Sequence, residues 1–307
     1  MASDLAFTKG AVQQPVGLIG TGLFGTALAE RLLSAGFSVR VCNRTREKAD
    51  PLLALGAKWS DNPLQECQRT IFSVYTTQQV AGLLEQMHNG LKPGQIIIDT
   101  STSDPQQTVA LGTRLAGRGI AYLEAPFSGS SEQTRNHEST ALVAGDKSTF
   151  QACDDLWNSL AAKTFYVGSW GNAAKMKLMT NLVLGLNRAV LAEGLVFAEA
   201  VGLKMDDALQ VLLNSPAYSR TMDAKGPMML QGEFTPQARL SQHLKDVRLI
   251  LGEASRGGPE PCGWLPLSAV HLELLKQAEA AGLGDLDNSV IIRVIQDAKH
   301  QALLDQS

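Results

Sequence analysis

The sequence predicts an α/β protein: a Rossmann-type doubly wound parallel sheet followed by an all-helical C-terminal domain. Three observations predict it. Up to about residue 168, short apolar runs alternate with helical stretches, the pattern of a parallel sheet with crossover helices. The first apolar run leads straight into a glycine-rich turn that opens a helix. After Gly171 the strand signals stop, and apolar residues recur at three- and four-residue intervals at Leu178, Leu182, Leu186, Val190 and Leu195. The length of 307 residues also fits two units at ~150 residues each.

Taken in order, residues 1–14 are polar and small and read as a loose, flexible tail. Val16–Ile19, Ser38–Cys42, Thr70–Val74, Gln95–Asp99 and Ala121–Glu124 read as buried strands. They are short, rich in Val, Ile and Leu, bounded by turn residues, and apolar on both faces as a helix-covered sheet requires. Helices are expected between them near 23–36, 45–55, 76–88 and 104–117. A boundary near Gly168–Gly171 separates a cofactor-binding unit, 15–169, from a helical unit, 170–307, that carries substrate and oligomer contacts. Residues 172–202 contain no Pro and predict one helix of roughly 46 Å at 1.5 Å per residue. Further helices are expected near 205–214, 238–256, 264–281 and 286–304.

Composition narrows the function classes. Apolar residues make up 44% and charged residues 19%, which supports a packed core, and the net charge is −3. Neither half carries the basic excess that phosphate backbones select, so no nucleic-acid partner is expected. No run of ~18 apolar residues and no basic-then-apolar leader stands out, so neither a membrane span nor a secretory signal is expected. Cys42, Cys67, Cys153 and Cys262 form no CxxC or zinc spacing. The five histidines form no metal pattern either, and no metal site is expected. A reducing, cytoplasmic compartment is the simplest reading.

The turn after the first strand is Gly20-Thr21-Gly22-Leu23-Phe24-Gly25, a GxGxxG in the strand–turn–helix context of a dinucleotide site. Gly20 permits the tight turn, Gly22 lets the backbone approach a pyrophosphate, and Gly25 lets helix and strand pack closely. The helix N-terminus supplies free N–H groups to the phosphates. About 20 residues on, where an NAD site places a carboxylate for the ribose 2′-OH, this chain has Asn43, Arg44 and Thr45. An Arg can clamp a 2′-phosphate, and a carboxylate would repel it. NADP(H) is therefore preferred, with NAD(H) possible.

Ligands of open α/β sheets sit outside the carboxyl ends of the strands. Val74, Tyr75 and Thr76 end the third strand, where they can meet the nicotinamide ribose. Asp99-Thr100-Ser101-Thr102 ends the next strand, and Ser128-Gly129-Ser130 follows Glu124. Each hydroxyl is accounted for equally well as a small-carboxylate ligand or as a cap of the following helix. On the long helix, Lys177 and Asn181 are four residues apart and share a face among Met176, Leu178, Met179 and Leu182. A Lys in an apolar cleft has a depressed pKa suited to general acid–base work. Pattern alone favours an ordinary solvated lysine. Lys175 points about 200° away. Lys245 can reach back to the cofactor and Asp246 can pair with a nearby base, or the two form a surface charge pair.

These motifs together resemble the β-hydroxyacid dehydrogenases, from about Val16 to Gln301. GLIGTGLFG (17–25), CNRT (42–45), DTSTSDP (99–105), LEAPFSGS (123–130), GNAAKMKLMTN (171–181) and LKDVRLIL (244–251) occur in the family's order. The GNAAKMKLMTN stretch and the SGS turn are most similar to its glyoxylate/succinic semialdehyde reductase branch. The resemblance implies Lys177 as catalytic acid–base beside Asn181. It implies Ser128, Gly129 and Thr102 as substrate contacts, Thr102 also lying near the cofactor. It implies Lys245 as a cofactor contact, Asp246 on the substrate side, and a homodimer or homotetramer built through the helical domain. The expected substrate is a small aldehyde- or hydroxy-carboxylate. An imine reductase shares this architecture but places Asp or Tyr where Lys177 stands, and non-catalytic NADPH-binding homologues lose that Lys. Three positions depart from the family: His137 replaces a common Gly and is followed by Glu138, and Ala238 replaces a common Phe beside Arg239. These departures suggest a larger or more anionic substrate that uses Arg239.

Overall fold

The computed structural model describes residues 14–256 and 264–304. All but the last residue of the tail read over 1–14, and Cys262, lie outside the described residues. The sheet comprises β1 (Val16–Ile19), β2 (Val39–Cys42), β3 (Lys58–Trp59), β4 (Arg69–Phe72), β5 (Ile96–Asp99), β6 (Ala121–Glu124), β7 (Phe127–Ser128), β8 (Thr140–Gly145) and β9 (Lys163–Tyr166). Their order is β3-β2-β1-β4-β5-β6-β8-β7, with β9 on β8. Six strands, β3 through β6 in that order, are parallel. Adjacent residues go to opposite faces, as expected of strands covered by helices on both sides. Ile71, Ile98 and Leu123 join one core with the helix Leu23–Ser34, and Phe72, Ile97 and Tyr122 join the other with Leu111 and Leu115.

The parallel sheet ends in an antiparallel edge. β8 runs antiparallel to β6 and to β7. β6 and β7 run in the same direction, separated by Ala125-Pro126, and pair along β8 in one continuous register. The chain turns back between Ser128 and Thr140, through the helix Ser131–Arg135, so β8 returns antiparallel. β3, β7 and β9 carry weak sequence signals: two are only two residues long, and β9 alternates exposed and half-buried positions. β8 is a buried apolar run that the strands expected above do not include. Ser73 and Val74, read as the end of the third strand, lie just past β4.

From Asn172 on, every described element is helical: Asn172–Ala200, Met205–Leu213, Arg220–Gln231, Leu240–Arg256, Pro266–Ala280 and Ile291–Leu304, with a short 3-10 turn at Asn288–Val290. Arg220–Gln231 escapes the apolar periodicity because Gly226 and Pro227 interrupt it; Gly226 lies against Leu209, with no room for a side chain. Asn172–Ala200 is long and apolar enough to cross a membrane by length and composition, but half of its most apolar window is buried inside the protein. Its buried face differs from the apolar one expected. Lys177, Asn181, Gly185 and Arg188 are buried along it, together with Leu178, Leu191 and Leu195, while Val190 is exposed.

Candidate active site

Strand order reverses between β1 and β4, the position where open α/β sheets bind ligands. The glycine turn sits there. Gly20 has φ +100°, and a Cβ on it would collide with the Ser73 carbonyl oxygen at the end of β4. A Cβ on Gly25 would collide with the Gly20 carbonyl oxygen, so Gly25 sets the close contact of helix and strand. Gly22 is different: its backbone is extended and nothing lies within 4 Å of a Cβ there. No side chain caps the helix Leu23–Ser34, and its first hydrogen bond is Thr26 N–H to the Gly22 carbonyl. The amides of Leu23, Phe24 and Gly25 thus precede the hydrogen-bonded turns and remain available to an anion. A bare cradle and an uncapped helix end fit a dinucleotide pyrophosphate.

Asn43, Arg44 and Thr45 follow β2. The Asn43 side chain accepts from Thr21 N–H at 3.1 Å and donates to the Thr45 carbonyl at 2.8 Å, fixing the glycine turn to the ribose-side loop. Arg44 is exposed. The neighbouring Arg46 guanidinium lies 5.1 Å from the centre of the Trp59 ring.

The strand-end hydroxyls divide by task. Thr76 caps Thr77–Gln86, accepting from Gln79 N–H at 3.2 Å, and Ser130 forms a capping box with Gln133. Asp99 is fully enclosed and accepts from Ser101, Thr77 and Tyr122, so this cluster folds the turn rather than facing the cleft. Burial raises the Asp99 carboxyl above its usual range, opposed by these donors. Thr102 is buried, and its main-chain carbonyl accepts from Lys245 Nζ of the helical half at 2.6 Å. Val74 is half-buried against the core that holds Phe72 and Val80. Ser128 and Gly129 lie where β7 packs on the long helix, Gly129 with φ +147° against Ser139.

Lys177 and Asn181, as the four-residue spacing requires, share the buried face of the long helix, with Lys175 exposed on the other side. Asn181 Nδ2 donates to Asp246 Oδ2 at 2.8 Å, and Lys245 Nζ lies 3.1 Å from Asp246 Oδ1. Lys177 is 8% exposed. Burial lowers its ammonium to about 8, with Asp246 pulling the pKa up and Lys245 pushing it down. Lys245 also sits 4.7 Å from the Tyr75 ring centre and donates to the Tyr75 carbonyl at 3.2 Å, while the Tyr75 hydroxyl donates to the Ser241 carbonyl. Tyr75 and Thr102 on the sheet half, and Lys245, Asp246 and Asn181 on the helical half, thus form one connected polar group at the cleft. No group of three or more His, Cys, Asp or Glu positioned for a metal occurs among the described residues.

The departures have structural content. His137 has φ +57°, the left-handed region, at the end of the helix Ser131–Arg135. Glycine occupies that region freely and other residues at a cost of ~1 kcal/mol or more. Glu138 pairs with Arg220 at 3.1 Å. Ala238 N–H donates to Asp287. Arg239 pairs with Asp285 at 3.3 Å, both side chains more than half exposed, and its charge also acts on the Tyr75 hydroxyl. Two contacts had no distinct sequence signal. One is the Tyr75–Lys245 clasp, formed by residues 170 apart. The other is Glu124, whose carboxylate accepts from the backbone at the start of the long helix.

Residues 15–168 match the family model of the NAD-binding domain of 6-phosphogluconate dehydrogenase, and residues 171–295 that of the NAD-binding domain of NADP-dependent 3-hydroxyisobutyrate dehydrogenase. Glyoxylate/succinic semialdehyde reductase 1 of Arabidopsis thaliana is 33% identical over 291 residues, covering 92% of this chain and 98% of that protein. Cytokine-like nuclear factor N-PAC of Homo sapiens is 31% identical over 95% of this chain but only 54% of its own length. A solved structure, Psf3 in complex with NADP+ and 2-OPP, has a TM-score of 0.83 at 26% identity and covers 91% of this chain and 99% of its own. The nucleotide cradle, the clasp between the two halves and these likenesses agree, and the chain belongs to the β-hydroxyacid dehydrogenase family.

Proposed function

We propose that this protein is an NADP(H)-dependent reductase of a small aldehyde-carboxylate, such as glyoxylate or succinic semialdehyde, with Lys177 as its general acid. The observation that carries the reading is Lys177 itself: a buried ammonium at a nucleotide-binding cleft, with a pKa of about 8. At pH 7 such a group is roughly nine-tenths protonated yet close enough to neutrality to give up its proton.

Gly20 to Gly25 would hold the pyrophosphate, Arg44 and Thr45 the 2′-phosphate, and Val74, Tyr75 and Lys245 the nicotinamide end. When bound, NADPH supplies a hydride to the carbonyl carbon. Lys177 donates a proton to the carbonyl oxygen as negative charge grows there, completing the alcohol, and its neutral amine then takes a proton from solvent. Asp246 steadies the ammonium before transfer, and its bond to Asn181 keeps the carboxylate aligned. Ser128, Gly129 and Thr102 receive the substrate carboxylate. The preference for NADP(H) rests on the absence of an acid at 43–45 and on the NADP+ held by Psf3. A homodimer or homotetramer is supported by the exposed Met179, Val183, Val190 and Phe197 on the long helix.

A second reading, cofactor binding without turnover, is favoured by the likeness to N-PAC, whose name describes a nuclear factor. The retained and buried Lys177 argues against it. NADPH oxidation is followed with glyoxylate, succinic semialdehyde, methylmalonate semialdehyde, tartronate semialdehyde and a cyclic imine, for wild type and Lys177→Ala. Turnover of an aldehyde acid that collapses in the variant is expected. NADPH binding without turnover, or imine reduction indifferent to Lys177, overturns the proposal.

A further inference from the structure

The long helix is held at its start by a residue of the other half. Glu124, the last residue of β6, is 1% exposed. One of its carboxylate oxygens accepts from Gly171 N–H, and the other accepts from Ala174 N–H at 3.2 Å. The N-cap of the helix is Gly171, in the left-handed region at φ +89°, and as a glycine it brings no side chain to those amides. A helix start leaves its first amides without internal partners. Here an ionisable side chain some 50 residues earlier supplies the acceptors. The strand is tied to the same junction again two residues before, where the Tyr122 carbonyl accepts from Trp170 Nε1 at 2.9 Å. Lys177 follows Ala174 by three residues, less than one helical turn, so the register of the helix start sets where the Lys177 side chain begins.

We infer that Glu124 is a positioning residue for Lys177: its carboxylate fixes the first turn of the catalytic helix to the end of β6, and so sets the place of the proton donor relative to the cofactor-binding sheet. The inference rests on the proposed role of Lys177. A carboxylate can accept from both amides at once. Glutamine keeps the shape, but its NH2 would face one of the two N–H donors, so one amide loses its partner. The helix start then shifts or frays, and a displacement of ~1 Å at a reacting group lowers a rate by about 10²-fold. The glycine turn at the end of β1 is separated from β6 by β4 and β5, so the pyrophosphate cradle is not part of this contact.

The test is a double-mutant cycle read with NADPH and whichever aldehyde acid the panel identifies. Glu124→Gln is expected to lower kcat at least tenfold, with KM and the NADPH Kd within threefold of wild type. In a Lys177→Ala background the same change is expected to alter the residual rate less than twofold, because the group it positions is gone. The alkaline limb of the pH–rate profile should also move upward in Glu124→Gln, as a displaced Lys177 regains water. Equal losses in both backgrounds, or an unchanged kcat, overturn the inference. NADPH binding reports folding. If Glu124→Gln does not bind NADPH, Glu124→Asp, which keeps the charge but is one methylene short, is held to the same criteria; failure of both to bind makes Glu124 a folding residue and overturns the inference. Full activity of Lys177→Ala alone removes the proposed function, whereas its collapse with additive losses removes only the role of Glu124.

Discussion

Lys177→Met separates chemistry from stability. An ordinary lysine ionises near 10.5, and burial holds this one at about 8. The folded protein therefore carries a proton on Lys177 that it binds less tightly than the unfolded chain does. A difference of about 2.5 pKa units at 1.36 kcal/mol each makes the buried charge cost roughly 3 kcal/mol at pH 7. Methionine has a similar length and no charge, and Asp246 keeps Asn181 and Lys245 as partners. The variant is expected to unfold at higher urea, with a free energy larger by up to about 3 kcal/mol at pH 7. The sign with pH is fixed. A base whose folded pKa is depressed destabilises fully below the folded value, progressively less between about 8 and 10.5, and not at all above. The gap should narrow to roughly 1.5 kcal/mol at pH 9.5. Reduction should meanwhile fall by about 10²–10⁴-fold, the usual worth of a general acid. Equal or lower stability of the variant at pH 7, or a gap that does not narrow at pH 9.5, refutes the reasoning that Lys177 is desolvated and charged.

The same electrostatics fixes the pH–rate profile: carbonyl reduction falls as pH rises through about 8, Asp246→Asn moves that limb to lower pH, and Lys245→Met moves it to higher pH, since the first removes an attraction and the second a repulsion. A limb that stays fixed in both variants removes these two residues from the proton donor's surroundings. Gly22→Ala should leave the urea midpoint of the free protein unchanged, because nothing lies within 4 Å of the new Cβ, while raising the NADPH Kd tenfold or more in titration calorimetry; unchanged binding would place the pyrophosphate elsewhere. His271 is buried against His243 and near Arg188, and burial lowers its pKa to about 4. The neutral ring therefore contributes stability that is present above about 6.5 and lost as pH falls toward 4, roughly 3 kcal/mol by pH 4. His271→Leu should flatten that acid limb in urea titrations between pH 6.5 and 4, and an unaltered slope counts against it.

The features legible in the sequence are those carried by neighbouring residues. β1, the glycine turn and the first helix occupy the consecutive positions Val16–Ser34, whose apolar run, glycines and periodicity point the same way, and the structure has them where the pattern puts them. The spacing of Lys177 and Asn181 likewise gives a shared face on one helix. The chemistry of Lys177 is another matter. It depends on Asp246 and Lys245, nearly 70 positions on, and on burial by a domain whose packing no local pattern describes. The two sequence accounts of the strand-end hydroxyls, ligand and cap, were equivalent. Thr76 and Ser130 cap locally, each to a residue three positions on, whereas only the tertiary arrangement brings the Thr102 carbonyl to Lys245.

His137 and Arg239 mark what a departure from a family pattern can mean. Both were grounds for expecting an altered substrate. His137 instead occupies a left-handed backbone position, so glycine there is a matter of chain geometry, and the family's preference needs no ligand to account for it. Arg239 lies at the surface against Asp285, with its charge also acting on the Tyr75 hydroxyl. Glu124 is the opposite case. It matches the family motif and so attracts no notice as an exception, yet it is a buried carboxylate that joins the nucleotide-binding sheet to the helix bearing the proton donor. A substitution is informative about substrate only where its side chain reaches the cleft. In this chain the residues that do so are concentrated in the clasp of Tyr75, Thr102, Asn181, Lys245 and Asp246 around Lys177. Differences in specificity from relatives should therefore be sought in the shape of that clasp before the surface charges beside it.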